Sequence, residues 1–146
     1  MDMVQQVSVF LENKSGRLAE VADAIAAASI NIGALSVAET SDFGILRFIC
    51  NQPAKAVQVL RQAGFSVGET EVLAIQLSHR PGGLAEALDV INPLDINIEY
   101  LYAFANNPGQ DAVVVMRVEN ACSPQAAEAL AQAGFKLLTP EEAYQL

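Results

Sequence analysis

The sequence predicts an α+β protein in which one βαββαβ unit is written twice in tandem, with antiparallel sheets and the helices on one face. Three observations predict it. Gly16, Leu18, Ala19, Glu20, Asp23 and Ile25 recur as Gly82, Leu84, Ala85, Glu86, Asp89 and Ile91 at a constant spacing of 66, which continues from Ile30-Asn31-Ile32 to Ile96-Asn97-Ile98. After a four-residue insertion the spacing becomes 70, so that Gln62-Ala63-Gly64-Phe65 falls on Gln132-Ala133-Gly134-Phe135 and Arg47 on Arg117. Within each copy, apolar residues alternate between period two and period 3.6, the signatures of strand and helix.

In the first copy, Val7, Val9 and Leu11 alternate with Gln6, Ser8 and Phe10 and give a strand. Leu18, Val21, Ala22 and Ile25 follow at i, i+3, i+4 and i+7, one apolar face of a helix. Asn31 and Gly33 mark a turn into a strand over 35–40, 41–44 reads as a hairpin turn, and 45–50 as the returning strand. Asn51 is expected to cap a helix that has Pro53 in its first turn and Ala56, Val57, Leu60 and Ala63 on its apolar face. Gly64 suits the left-handed position that ends a helix, and 65–71 returns as a fourth strand.

The second copy repeats the order. A strand over 72–77 precedes a helix with Leu84, Ala87, Leu88 and Ile91 on one face, stopped by Pro93. Strands over 96–105 and 112–118 flank the longer loop 106–110, which holds the insertion. A helix over 124–133 ends at Gly134, and 135–138 is the last strand. Thr139, Pro140 and Glu142 suggest a capping box for a final helical turn. This order defines two ferredoxin-like modules, 1–71 and 72–146, with right-handed crossovers. About 70 residues is marginal for an independent core, so the modules are expected to pack together. Glu69-Thr70-Glu71 runs into Val72 without a Gly/Ser/Pro spacer, as suits a fixed pair.

Composition narrows the function. Hydrophobic residues make up 52% of the 146 and charged residues 17%, ample for a core. Apolar runs such as 24–28 and 112–116 fall short of the roughly 20 residues that span a bilayer, so no membrane role is expected. The N-terminal residues lack a secretory pattern, and the expected location is the cytoplasm. A net charge of −9, with eight basic residues against 17 acidic ones, argues against nucleic acid. Cys50 and Cys122 form no CxxC pair and read as reduced thiols, and one histidine makes a zinc site improbable. No metal and no cofactor is expected.

The informative stretch is the loop between the first strand and first helix of each copy. It reads Leu11-Glu12-Asn13-Lys14-Ser15-Gly16-Arg17-Leu18 in one and Leu77-Ser78-His79-Arg80-Pro81-Gly82-Gly83-Leu84 in the other. Glycine lets the chain turn sharply there, and the free N–H groups of the following helix attract carboxylate or phosphate. Lys14, Arg17 and Arg80, three of the eight basic residues, fall in these loops, which favours an anionic group on a ligand.

An Asn-x-[Pro/Ser]-Gly-x-Leu turn into a helix, followed by Ile-Asn-Ile at the next strand, resembles the ACT domain, and the resemblance covers nearly the whole chain. ACT domains are regulatory modules of amino-acid metabolism that commonly bind an amino acid at the interface between two modules. The resemblance implies that Asn13 and Asn31 in the first copy, and His79 and Asn97 in the second, hold the ligand's amino and carboxylate groups. Lys14, Ser15, Gly16, Arg17 and Leu18, with Arg80, Pro81, Gly82, Gly83 and Leu84, would complete the sites, beside Ile32 and Ile98. Ser15 replaces the usual proline and His79 stands where the first copy has Asn13, so the copies are expected to bind unequally.

No nucleophile–base pattern surrounds His79, so an enzyme is not expected, and the Gly-x-Val-Gln-Gly run of acylphosphatases is absent. The strand over 45–50 lacks the stacking aromatics of an RNA-binding module. Tyr100, Tyr102 and Phe104 read as packing at a module interface, and Arg47 and Arg117 as structural ion-pair residues. The expectation is an amino-acid-binding regulatory homodimer that signals to a partner enzyme of amino-acid metabolism. The alternative is a ligand-independent regulatory or assembly subunit, similar to acetolactate synthase small subunits.

Overall fold

The computed structural model describes residues 3–12, 14–39, 42–105 and 111–146. The chain forms two compact units: Gln5–Thr70 with Pro140–Leu146, and Glu71–Thr139 with Met3 and Val4. The repeats are proposed to meet at 71/72; the compact units divide at 70/71 and differ from the repeats at the chain ends.

The first unit carries β1 (Val4–Glu12), α1 (Arg17–Ala27), β2 (Ile32–Glu39), β3 (Phe43–Cys50), α2 (Pro53–Gln62) and the start of β4 (Ser66–Leu77). Its strand order is β2-β3-β1-β4, and β3 is antiparallel to both β1 and β2. Register places Val9 opposite Leu46 and Val7 opposite Phe48. These side chains form one core with Val21 and Ile25 of α1 and Ala56, Val57 and Leu60 of α2. Period-two alternation on β1 meets period 3.6 on the helices, which puts both helices on one sheet face. The short helix α5 (Pro140–Tyr144) packs against β3. The Tyr144 hydroxyl accepts a hydrogen bond from the Gln5 amide at 2.9 Å. A Cβ on Gly33 would lie 2.7 Å from the Leu146 carbonyl oxygen, so glycine is required for that approach.

The second unit has the rest of β4, then α3 (Gly83–Ile91), a 3-10 turn over Asn92–Leu94, β5 (Ile98–Ala105), β6 (Ala112–Val118), α4 (Ser123–Gln132) and β7 (Lys136–Leu137). β6 pairs antiparallel with β4 and β5, and β7 with β4. Its core joins Leu73, Ile75, Val114 and Met116 to Ala87, Ile91, Ala126 and Leu130. The α+β class and the two ferredoxin-like modules follow as the sequence predicts.

Several details differ. The strands expected over 65–71 and 72–77 are one twelve-residue strand, β4. The last strand shrinks to two residues. Gln52, not Asn51, occupies the N-cap of α2. Asn51 instead accepts the Asn31 amide on Oδ1 at 3.0 Å and donates its own amide to the Asn31 carbonyl at 3.2 Å. Leu18, Ala22, Leu84 and Ala63, assigned to apolar helix faces, are exposed. In the hairpin turn expected over 41–44, residue 41 lies outside the described residues, while Phe43 and Gly44 belong to β3. The loop 106–110 also lies outside them. Cys50 is buried and Cys122 half-buried, both free. Arg117 forms the expected ion pair, with Glu99 at 3.3 Å.

Candidate functional site

Gly16 and Gly82 open α1 and α3 with φ of 89° and 87°, a left-handed geometry that a Cβ disfavours. No side chain caps either helix, and the Arg17 and Gly83 amides donate to the Lys14 and Arg80 carbonyls at 3.4 and 3.0 Å. Around the first turn the charges form a chain. Lys14 Nζ meets Glu12 at 2.8 Å, and Arg17 bridges Glu12 at 3.0 Å and Glu20 at 2.8 Å. The Arg17 guanidinium also lies over the Phe65 ring, 5.2 Å from its centroid. Hydrogen bonds from Lys14 first, then Arg17, hold the Glu12 carboxyl below its usual range. Hydrogen bonds to Glu20 and Glu12 push the Arg17 pKa up.

Beside these charges lies a groove of about 170 Å³ lined by Leu11, Glu12, Lys14, Arg17, Leu18, Val37 and Gly44. Leu18 and Val37 are each 47% exposed, apolar surface placed next to fixed charges. Glu12 and Val37 were not anticipated from sequence. Asn13, which was, lies outside the described residues.

In the second module, Ser78, His79, Arg80, Pro81 and Gly82 are exposed, Leu84 is 41% exposed, and Arg80 pairs with Glu86 at 2.6 Å. Gly83 is buried, and glycine is required there because a Cβ would collide with the Ser78 carbonyl oxygen. Asn97 and Ile98 line a shallow depression of about 360 Å³ with Leu88, Asp89 and Asn92.

The structure does not bring all the anticipated residues together within a module. Lys14–Leu18 sit at the N-terminal end of α1, whereas Asn31 and Ile32 follow its C-terminal end. Eleven helical residues span about 16 Å, longer than a free amino acid. Asn31 is absent from the groove lining, and its backbone is held by Asn51. The nine residues of α3 likewise lie between the turn His79–Gly82 and Asn97 with Ile98.

Among the described residues no group of His, Cys, Asp and Glu is placed to hold a metal, and no helix is long and apolar enough to cross a membrane.

A tandem pair of ferredoxin-like modules, each opened by a left-handed glycine ahead of its first helix, defines the class. The chain belongs to the ACT domain pair family, whose model matches residues 2–143. It is similar to protein BT0572 from Bacteroides thetaiotaomicron, with 42% identity over 99% of this chain and 97% of that one and a TM-score of 0.92. The fold is shared with the ligand-free regulatory subunit of aspartate kinase from Thermus thermophilus, at 16% identity, 91% and 95% coverage and a TM-score of 0.65. The Thermus flavus regulatory subunit gives 15% identity, 90% and 94% coverage and a TM-score of 0.62. None of the curated proteins compared with the chain matches it significantly.

Proposed function

We propose that this chain is a non-catalytic, cytoplasmic regulatory protein that binds a free amino acid and passes its occupancy to a partner enzyme. The observation that carries this reading is the groove at the first glycine turn. It combines the N-terminal end of α1 and Lys14 for a carboxylate, Glu12 for an ammonium group, and exposed Leu18 and Val37 for an apolar side chain. A zwitterion with an apolar tail matches that set. Asn31 and Asn97 stand too far along their helices to serve the glycine turns of their own modules. We therefore place the complete site at a module interface between two copies of the chain, in a homodimer. Ligand binding would stabilise the arrangement that encloses the ligand, and a partner would read that difference.

A thermal-shift screen of the purified chain against the twenty amino acids tests this. A ligand that binds only the native state adds about 2.7 kcal/mol at a hundredfold excess over Kd. One clear hit is expected, lost on Asn31→Ala or Asn97→Ala and weakened on Lys14→Ala. A flat screen at millimolar concentrations would favour the second reading, a ligand-independent assembly subunit. Exposed Leu35 and Val37, on one face of β2, are the surface that favours it, since exposed apolar area shared by neighbouring side chains marks an interface.

A further inference from the structure

The two modules differ at one place where the repeat provides its own control. In the first, Arg17 lays its guanidinium over Phe65 and bonds Glu20. In the second, the spacings of 66 and 70 put Gly83 where Arg17 stands, with Glu86 for Glu20 and Phe135 for Phe65. The supports are reproduced. Gly64 and Gly134 have φ of 93° and 94°, and the Phe65 and Phe135 amides donate to Leu60 and Leu130 at 3.0 Å each. The Glu20 and Glu86 amides donate to Gly16 and Gly82 at 3.0 Å each. The aromatic ring and the carboxylate keep equivalent backbone supports, while the cation between them has gone and Ser78 stands where Glu12 does. A cleft of about 280 Å³ lies there, lined by Phe135 and Glu86 with Ser78, Gln76, Asp111 and Lys136. Beside Arg17 in the first module about 220 Å³ remains.

We infer that the cleft beside Phe135 binds a small molecule bearing a guanidinium or amidinium group, which takes the place Arg17 fills in the first module. The planar cation stacks on the Phe135 ring and donates to Glu86, as Arg17 does to Phe65 and Glu20. Asp111 and Glu86 outnumber Lys136 on the walls, so the cleft favours a cation. Gln76 donates to Asp111 and fixes that carboxylate. Arg80 is the competitor, since it pairs with Glu86 from outside the cleft. An Arg side chain cannot be supplied by the chain itself at position 83, because the Ser78 carbonyl oxygen occupies the space of a Cβ. This site is separate from the amino-acid groove, and the probes below carry no carboxylate, so the two readings fail independently.

Calorimetric titration of the full chain with agmatine, and with putrescine as the non-planar control, tests the inference. Saturable agmatine binding is expected, with putrescine about tenfold weaker because an ammonium lacks the stacking plane. Phe135→Leu and Glu86→Gln should each weaken agmatine about tenfold, while Arg80→Ala should tighten it by freeing Glu86. Thermal melts of each variant check that it folds. The inference is overturned if agmatine does not bind at millimolar concentration, if Phe135→Leu leaves binding unchanged, or if putrescine binds equally. Weaker binding on Arg80→Ala would also overturn it. A further arm uses Arg17→Gly, which opens the same cleft in the first module and should add a second equivalent of agmatine.

Discussion

Residue by residue, the repeat separates what the fold needs from what a site needs. Asn51 ties the Asn31 backbone with two hydrogen bonds, one through its side-chain oxygen, for which its counterpart Ala121 has no side-chain equivalent. Tyr144 is more exclusively structural. Burial foremost pushes its pKa above the ordinary 10.0, against the opposing effect of the hydrogen bond from the Gln5 amide. A raised folded pKa means that the contribution to stability is complete below the unfolded value and is lost as pH rises through the folded one. Denaturant melts of the wild-type chain should therefore weaken above pH 10.0, and Tyr144→Phe should flatten that alkaline decline. The variant should also lose about 1 kcal/mol at neutral pH with the hydrogen bond. An alkaline limb unchanged by the substitution would show that Tyr144 ionises as freely in the folded chain as in the unfolded one.

Helix ends are the elements where the two copies agree most closely. Ser29 and Asp95, one repeat apart, hold φ of 59° and 56° just before Ile-Asn-Ile, a left-handed backbone that costs a residue with a Cβ about 1 kcal/mol. Ser29 is exposed and its amide closes the helix on the Ala26 carbonyl at 3.0 Å, so removing its side chain sacrifices no packing. Ser29→Gly is expected to raise stability by about 0.5–1 kcal/mol in urea melts, and a loss would mean that the serine hydroxyl has a structural partner. The same elements mark how far sequence reaches. Periodicity finds every strand and helix core, because burial of Val21, Ile25, Ala87 and Ile91 is what makes the period. It misassigns Leu18 and Leu84, which keep the period but lie in the first turn of their helices, exposed beside the glycine turns. β4 reads as two strands because the repeat begins again at its middle, although the backbone has no reason to break there.

At the scale of the whole chain, order along the sequence stops predicting neighbourhood. The last seven residues of the second repeat complete the unit built by the first, and no local pattern announces that. The amino-acid site poses the same problem. The motif groups the glycine turns with the Ile-Asn-Ile segments, but Lys14 and Asn31 lie beyond opposite ends of α1, a helix about 16 Å long, and the proposed site would unite them by docking to another module. If that other module belongs to a second copy, two defective chains should repair each other. Lys14→Glu spoils the glycine-turn half of the first-module site and Asn31→Ala the other half. A homodimer of either variant has no intact site of this kind, whereas a heterodimer has one glycine turn and one Asn31 that are both wild type. Equal mixtures reassembled from dissociated subunits contain about half heterodimers, so titration with the ligand found by the screen should recover about a quarter of the wild-type sites. Light scattering would report the dimer directly. Recovery near zero in a mixture that scatters as a dimer would place both halves of the site on one chain, and a monomer would remove the interface on which the proposed site depends.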